Sequence, residues 1–190
     1  MTTKITVISG SSRAESYNLK LATQLAAITD ATHAEVSLIN LKDFDLPMYN
    51  GDLEDAEGLP GAAKLLKLRL AESTGLIFTC PEYNGFMTPL LINAIDWCTR
   101  SEDASVDLSG FTGKTVLVAS ASPGAGGGAR AATHLKTMLS GLGSVIFPQS
   151  MVVPSAYNAF DDEGKLLDEA MTKRAEQLIE KFVQFTNRFA

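Results

Sequence analysis

Hydroxyl side chains are concentrated just after the first apolar run of the chain, in residues 9–18. This segment holds four serines, one arginine and one asparagine: Ser9, Ser11, Ser12, Arg13, Ser16 and Asn18. Short hydroxyl donors, a positive charge and the free N–H groups of a following helix are what a phosphate dianion binds. A turn with a serine N-cap at Ser16 explains one serine but not the others. We therefore predict a phosphate monoester site, without the G-x-x-x-x-G-K-[ST] pattern of a P-loop.

A second loop, residues 80–89, combines a proline with an Asn-Gly pair. Pro81 fixes the direction of the chain, and Asn84-Gly85 tolerates positive φ, so backbone N–H and C=O groups can turn towards a flat polar ring. Asn-Gly is also typical of a β-hairpin turn. The apolar residues around it have helical spacing rather than alternation, which favours an open loop.

Glycine is concentrated in a third loop, residues 120–130, with four glycines between positions 124 and 128. This density indicates a backbone that approaches something closely or adopts conformations barred to other residues. Gly124, Gly126 and Ala129 match G-x-G-x-x-G/A, so a Rossmann-type dinucleotide site is an alternative. The acid expected about 20 residues further on is missing, because that stretch reads FPQS. The match to the dinucleotide pattern is therefore weak.

Short apolar, β-branched segments alternate with segments of helical period along the whole chain. The predicted strands are Lys4–Ser9, Glu35–Ile39, Gly75–Thr79, Thr115–Ser120 and Ser144–Val153. Their largely apolar character indicates burial on both faces, as in a parallel sheet. Apolar residues at three- and four-residue intervals predict helices over 21–28, 63–70, 91–98, 131–142 and 171–189, the last with a stripe that ends at Phe189.

This alternation predicts an α/β fold in which residues 1–190 form one domain around a doubly wound, five-stranded parallel sheet. We expect the flavodoxin-like strand order 2-1-3-4-5. Ligands bind such sheets beyond the carboxyl ends of the strands, where the strand order reverses. The three polar loops all follow strands and therefore meet at that edge. Residues 40–60 form an unusually long connection, which is typical of a functional loop.

Composition excludes several classes of protein. The chain has 190 residues, of which 45% are hydrophobic and 20% charged, which is typical of a globular protein and not of a disordered one. A net charge of −6 without a basic patch argues against nucleic-acid binding. No apolar stretch is long enough for a signal-peptide core or a membrane span, so we expect a soluble cytoplasmic protein with no membrane association.

Residues suited to metal binding or nucleophilic catalysis are scarce. Cys80 and Cys98 are too far apart for a C-x-x-C pair and are interpreted as buried thiols, so no metal site is predicted. His33 and His134 have no G-x-S-x-G elbow or phosphatase loop to serve. His33 is placed on a solvated segment before the second strand, and His134 is interpreted as structural. A hydrolase site therefore cannot be assembled from these residues, and no catalytic side chain is predicted.

Taken together, the three loops resemble the NADPH-dependent FMN reductases of flavodoxin-like fold, a family that includes quinone, chromate and azo-dye reductases. Residues 10–18 match the family pattern G-S-x-R-x-x-S-x-N. Residues 81–84 read PEYN and residues 93–97 read NAIDW, as in the second family signature. Residues 127–135, with Gly-Gly-Ala-Arg followed by His-Leu, resemble the third. The resemblance runs from about Ile5 to Leu142.

The resemblance implies a role for each loop. It implies that the FMN phosphate is held by the first loop, through Ser11, Arg13, Ser16 and Asn18, with Tyr17 in the same cofactor-binding segment. It implies that the edge of the isoalloxazine ring is lined by Pro81, Glu82, Tyr83, Asn84 and Gly85, and that Ser122 and Gly124 close the other side. Residues 46–49 (LPMY) resemble a family element that lies near the flavin, often beside a neighbouring subunit. A homodimer or homotetramer is therefore expected.

The implied reaction is hydride transfer from NADPH or NADH to N5 of FMN, followed by electron transfer to a small-molecule acceptor: a quinone, chromate, an azo compound or free flavin. The chain departs from the family where Ser-x-Pro-Gly-x-Leu-Lys is usual, because residues 86–92 read FMTPLLI. This change affects the pocket over the ring and hence the acceptor. Two alternatives remain open: a non-enzymatic FMN electron carrier, and a Rossmann-type NAD enzyme without FMN.

Overall fold

A five-stranded parallel sheet forms the middle layer of the protein. The computed structural model describes residues 3–189. The strands are β1 (Lys4–Ser9), β2 (Glu35–Asn40), β3 (Gly75–Thr79), β4 (Glu82–Tyr83), β5 (Phe86–Met87), β6 (Thr115–Ala121) and β7 (Val145–Val153). The sheet has the order β2-β1-β3-β6-β7, and β4 and β5 form a separate antiparallel pair. Without that pair the order is the predicted 2-1-3-4-5, so the predicted fold is confirmed.

Helices cover both faces of the sheet. They are α1 (Tyr17–Asp30), α2 (Gly51–Glu57), α3 (Gly61–Ala71), α4 (Pro89–Cys98), α5 (Ala129–Gly141) and α6 (Glu169–Thr186). All five predicted helices are present, but the last ends earlier than its apolar stripe indicated. Phe189 lies beyond α6 with 52% of its surface exposed. Its ring still packs beside Phe185, with 4.9 Å between ring centroids.

The sheet separates two apolar cores. On one face, Ile5 and Val7 of β1 pack against α1 and α6. On the other face, Ile8 packs against α3, α4 and α5. Every residue of β3 and β6 is buried, which is why these two strands read as continuous apolar runs. The polar loops that follow β1, β3 and β6 lie beyond these cores, at the carboxyl edge of the sheet.

The structure differs from the sequence-based interpretation in two segments. The connection 40–60 contains helix α2 rather than irregular chain alone. The open-loop interpretation of Asn84-Gly85 was wrong, because these residues form the turn of the β4–β5 hairpin. Their φ angles are 54° and 82°, and a two-residue type I′ turn requires positive φ at both positions. The helical spacing that argued against a hairpin belongs to α4, which begins two residues after β5.

The connection before α2 is held against α4 by three hydrogen bonds. The Asn93 side chain accepts from the Tyr49 N–H at 2.7 Å and donates to the Pro47 carbonyl at 2.9 Å. Trp97 donates its indole N–H to the same carbonyl at 2.8 Å and is fully buried. Residues 46–49 therefore have a defined position on α4, with Met48 exposed.

A buried ion pair between Glu54 and Arg100 lies next to this connection. The Glu54 carboxylate is buried and accepts two bonds from Arg100 Nε, at 2.8 and 3.0 Å. It also accepts from the Tyr49 hydroxyl at 3.0 Å. The hydrogen bond from Arg100 is the main reason that the pKa of Glu54 lies below its ordinary value of 4.5.

Replacing Arg100 with alanine should destabilise the protein by about 3 kcal/mol, because Glu54 would keep its burial and lose its partner. Denaturant unfolding measures the change. Since the folded-state pKa of Glu54 is lowered, its contribution is present above pH 4.5 and is lost as the pH falls through the folded value. The difference between Arg100→Ala and wild type should therefore shrink on acidification below that pH. Lys165→Ala, which breaks an exposed pair with Glu163, is the control and should change stability little; equal losses in both variants would contradict the assignment.

Candidate functional site

The carboxyl ends of β1, β3 and β6 bring the three polar loops to one edge of the sheet. The Gly10 N–H donates to the Thr79 carbonyl at 3.0 Å, which joins the first loop to the end of β3. The Cys80 N–H donates to the Ala119 carbonyl at 2.8 Å, which joins the second loop to β6. The loops therefore lie together at this edge of the sheet, as the sequence predicts.

The first loop ends in a capped helix. Ser16 is the N-cap of α1, and its Oγ accepts from the Leu19 N–H at 3.1 Å. Ser11 is buried, and its Oγ accepts from the Arg13 N–H at 3.3 Å. Arg13 itself is exposed, and within residues 3–189 no ion pair involves it. The first N–H groups of α1 have no acceptor within the helix, so this loop presents amide donors and an available guanidinium.

A buried hydroxyl without a partner lies beneath this loop. The Ser9 side chain is fully buried, and in the part of the chain that the structure describes its Oγ makes no hydrogen bond. Ser9 follows Ile5 and Val7 on the α1 face of β1, since side chains alternate along a strand. A buried polar atom normally has a partner. The unmatched hydroxyl, the α1 amides and Arg13 together form a donor set that fits a phosphate group.

The structure gives the Asn18 side chain a protein partner rather than an open donor. Its Nδ2 donates to the Ala121 carbonyl at 2.8 Å, and its Oδ1 accepts from the Ala121 N–H at 3.0 Å. Asn18 is buried, with 5% of its surface exposed. Its two polar atoms therefore bind the end of β6 in the third loop.

The second loop docks on the start of α5 through Glu82. One carboxylate oxygen accepts from Arg130 at 2.7 Å, and the other accepts from the Ala131 N–H at 3.3 Å. Burial alone would raise the pKa of Glu82, but these hydrogen bonds outweigh it and lower the pKa below 4.5. A carboxylate beside the first turn of a helix also interacts favourably with the helix dipole. Glu82 therefore fixes the hairpin to α5, the helix that follows the glycine-rich loop.

The outer face of the hairpin is aromatic and exposed. Tyr83 and Phe86 are 50% and 44% exposed. Phe86 lies against His134 of α5, with 4.6 Å between ring centroids, so His134 has the structural contact that its sequence position favoured. Thr88, where the family usually has proline, caps α4 and donates to the Gly10 carbonyl at 3.0 Å.

The glycine-rich loop is tight at two of its four glycines. Gly127 and Gly128 have φ of 58° and 88°. A Cβ on Gly128 would overlap Ser120 Oγ, and one on Gly127 would lie 2.8 Å from the Pro154 nitrogen. Gly124 and Gly126 have room for a Cβ and have no positive φ. The close approach predicted for this loop is therefore confirmed at 127 and 128.

The close contacts at Gly127 and Gly128 weigh against a Rossmann-type dinucleotide site in this loop. In the dinucleotide pattern the first glycines serve the tight turn and the close approach of the backbone to the ligand, which here would be Gly124 and Gly126. The close contacts fall instead on the two glycines outside the pattern. Ser122 and Gly124 form a local turn in which the Gly124 N–H donates to Ser122 Oγ at 3.4 Å, and the Ser122 N–H donates to the Val153 carbonyl at 3.1 Å.

The two cysteines are buried thiols, as the sequence predicts. Cys80 and Cys98 are both free and buried, and burial raises the pKa of each to about 12. Between residues 3 and 189 there is no group of three or more histidine, cysteine or acidic side chains that could hold a metal ion. Within the same range no helix is both long and apolar enough to cross a membrane.

Solved structures place the chain among flavodoxin-like α/β proteins. A flavoenzyme NAD(P)H:acceptor oxidoreductase from Paracoccus denitrificans, FerB, superimposes with a TM-score of 0.82 at 30% sequence identity and covers 98% of both chains. A flavodoxin from the domain Archaea, at 10% identity and a TM-score of 0.61, shares the fold alone.

Sequence comparisons then identify the family. The model of the NADPH-dependent FMN reductases matches residues 3–158. An NAD(P)H-dependent FMN reductase of Pseudomonas aeruginosa is 34% identical over 95% of this chain and 91% of its own length. A quinone reductase of Escherichia coli is 29% identical over 99% and 98%. The chain belongs to the NADPH-dependent FMN reductase family, an oxidoreductase family that uses FMN with a nicotinamide nucleotide, which confirms the predicted family, enzyme class and cofactors.

Replacing Gly128 with alanine should destabilise the protein by about 1–3 kcal/mol, because a non-glycine residue would be strained at positive φ and would displace Ser120. Ser120 Oγ donates to the Cys80 carbonyl at 2.6 Å, so the base of the second loop should loosen as well. Gly126→Ala is the matched control, since nothing lies within 4 Å of the point that its Cβ would occupy. Thermal unfolding should show a clear loss for Gly128→Ala alone; similar melting temperatures for the two variants would be inconsistent with the tight contact.

Proposed function

We propose that this chain is a quinone-type reductase that binds FMN across the carboxyl edge of the sheet. The phosphate would lie at Ser11, Arg13, Ser16 and the first amides of α1, including that of Tyr17. The isoalloxazine ring would lie along residues 81–85, with Ser122 and Gly124 on the other side. The observation that carries the proposal is the buried, unpartnered hydroxyl of Ser9 beside a helix N-terminus and an arginine with no ion pair among the described residues.

When bound, FMN supplies the chemistry, because it accepts hydride from a nicotinamide and passes electrons to a second substrate. The protein then has three tasks. The donors of the first loop anchor the phosphate, each charge-assisted hydrogen bond contributing about 1.5–3 kcal/mol. The hairpin, fixed to α5 by Glu82, orients main-chain groups along the ring. Tyr83 and Phe86 leave an exposed aromatic surface on which a planar substrate can stack.

A quinone is the acceptor best supported by the comparisons. A 2-hydroxy-1,4-benzoquinone reductase from Burkholderia is 31% identical over 96% of this chain, and the Escherichia coli relative is also named a quinone reductase. Chromate, azo compounds and free flavin remain candidate acceptors.

A homodimeric or homotetrameric assembly and a cytoplasmic location also remain predictions, which light scattering and localisation of the tagged protein would test.

The first test is spectroscopic and uses two flavins. Purified protein should be yellow, and NADPH should bleach its visible absorbance under anaerobic conditions; a yellow protein that NADPH does not bleach would instead be an electron carrier.

Arg13→Ala should weaken FMN binding by about 1.5–3 kcal/mol, which is roughly 10- to 150-fold in Kd. Riboflavin, which lacks the phosphate, should bind equally well to both proteins. Unchanged FMN affinity in the variant would refute the phosphate site.

The second test concerns the acceptor. Phe86→Ser restores the serine that the family usually has at this position and removes the contact with His134. We expect kcat/KM to change differently for quinones and for chromate, with the KM for NADPH nearly unchanged, because Phe86 lies on the exposed face of the hairpin and not at its turn. Steady-state kinetics with both acceptors measure this. Identical ratios in wild type and variant would exclude Phe86 from the acceptor pocket.

A further inference from the structure

The end of β6 has main-chain groups that the sheet itself does not pair. Thr79 is opposite Ala119 in the β3–β6 ladder, and the Cys80 N–H donates to the Ala119 carbonyl. In a parallel ladder alternate residues direct both main-chain groups to the same neighbour, so Ala121 faces the β3 side as Ala119 does. The strand β3 ends at Thr79, and the chain turns away at Pro81, so Ala121 has no strand partner on that side.

The Asn18 side chain takes the place of the missing strand. Its amide forms both hydrogen bonds with Ala121, one to the carbonyl at 2.8 Å and one from the N–H at 3.0 Å. A primary amide has a donor and an acceptor side by side, so it can match both main-chain groups of a single residue. Neither a serine nor an aspartate in its place could do the same.

Asn18 is also tied to the second loop. Thr79 Oγ1 donates to the main-chain carbonyl of Asn18 at 2.9 Å. Thr79 is the last residue of β3, just before the hairpin segment. Asn18 therefore contacts the last residues of β3 and of β6 from the first turn of α1. It is the one residue that belongs to the first loop's motif and bonds directly to both other strands within the described residues.

We propose that Asn18 is a positioning residue that sets the geometry of the ring-binding loops, and that it does not act as a ligand of the phosphate. This inference rests on the proposed FMN site and differs from the role that the family resemblance implied. Its consequence is that loss of the Asn18 side chain should weaken binding of the ring, whether or not the flavin carries a phosphate.

Flavin titrations of the protein, freed of bound cofactor, separate the two roles. In Asn18→Ala the Kd for FMN and the Kd for riboflavin should rise by the same factor, about tenfold, equivalent to about 1.4 kcal/mol. In Arg13→Ala only the Kd for FMN should rise. At saturating FMN, the visible circular dichroism of the bound ring should change in Asn18→Ala and stay as in wild type in Arg13→Ala.

Thr29→Val controls for a general loss of stability. Thr29 is buried near the other end of α1, where its Oγ1 donates to the Leu25 carbonyl at 2.6 Å. This variant should lower the melting temperature and leave both Kd values unchanged. Asn18→Ser, which keeps one hydroxyl for Ala121, should show a smaller but equally matched rise for the two flavins and serves if Asn18→Ala does not fold.

The outcomes distinguish the inference from the function on which it rests. A loss confined to FMN in the Asn18 variants would overturn the positioning role and restore a direct phosphate contact. Unchanged affinity for both flavins would overturn it too. An Arg13→Ala variant that binds FMN normally would instead refute the phosphate site, and the comparison of Asn18→Ala with Thr29→Val would still decide whether Asn18 orders the ring loops.

Discussion

The early end of β3 constrains the whole carboxyl edge of the sheet. The N–H of Cys80 still donates to Ala119, but Pro81 has no N–H, so the buried main chain of Ala121 must find partners elsewhere. An unsatisfied buried N–H or C=O costs about 1–3 kcal/mol, a large part of the stability of a domain. Asn18 supplies both bonds, and Ser120 Oγ satisfies the Cys80 carbonyl. These hydrogen bonds join the first loop to the end of β6 and the end of β6 to the second loop.

The hydrogen bonds that join the three loops near the ends of the strands are neutral and buried, whereas the contact between the hairpin and α5 is charged and partly exposed. Asn18, Thr79 and Ser120 have no formal charge, so burying them carries no ionic desolvation cost. The Glu82–Arg130 pair joins a carboxylate side chain that is 13% exposed to an arginine side chain that is 74% exposed. Salt screens the exposed arginine, while the bond from the Ala131 N–H also holds the carboxylate. The division suits a flavin site, because the ring needs a rigid frame, and the chemistry needs no nucleophile from the protein.

The strands and the meeting of the loops could be predicted because they depend on local pattern. Buried parallel strands are apolar throughout, and phosphate donors, Asn-Gly and clustered glycines are visible in a single window. The contacts of Asn18 and Glu82 could not be predicted, since their partners are 103 and 49 residues away in the chain. The hairpin was missed because α4 follows β5 so closely that its apolar period masked the turn. Helix α2 carried a readable signal, an Asn50 cap followed by acidic residues, within a segment interpreted only by its length.

The departures from the family pattern fall on one side of the hairpin. Its turn keeps Asn84 and Gly85 at positive φ, and its inner contact through Glu82 to α5 is intact. Thr88 replaces the usual proline and adds a hydrogen bond to Gly10, which ties α4 more firmly to the first loop. Phe86 replaces a serine and packs outward against His134. Of these two substitutions only Phe86 lies on the exposed surface, whereas Thr88 is buried, so in the proposed site Phe86 is the one that can change what stacks against a bound ring. Selectivity for the electron acceptor can therefore diverge within this fold while the cofactor site is retained.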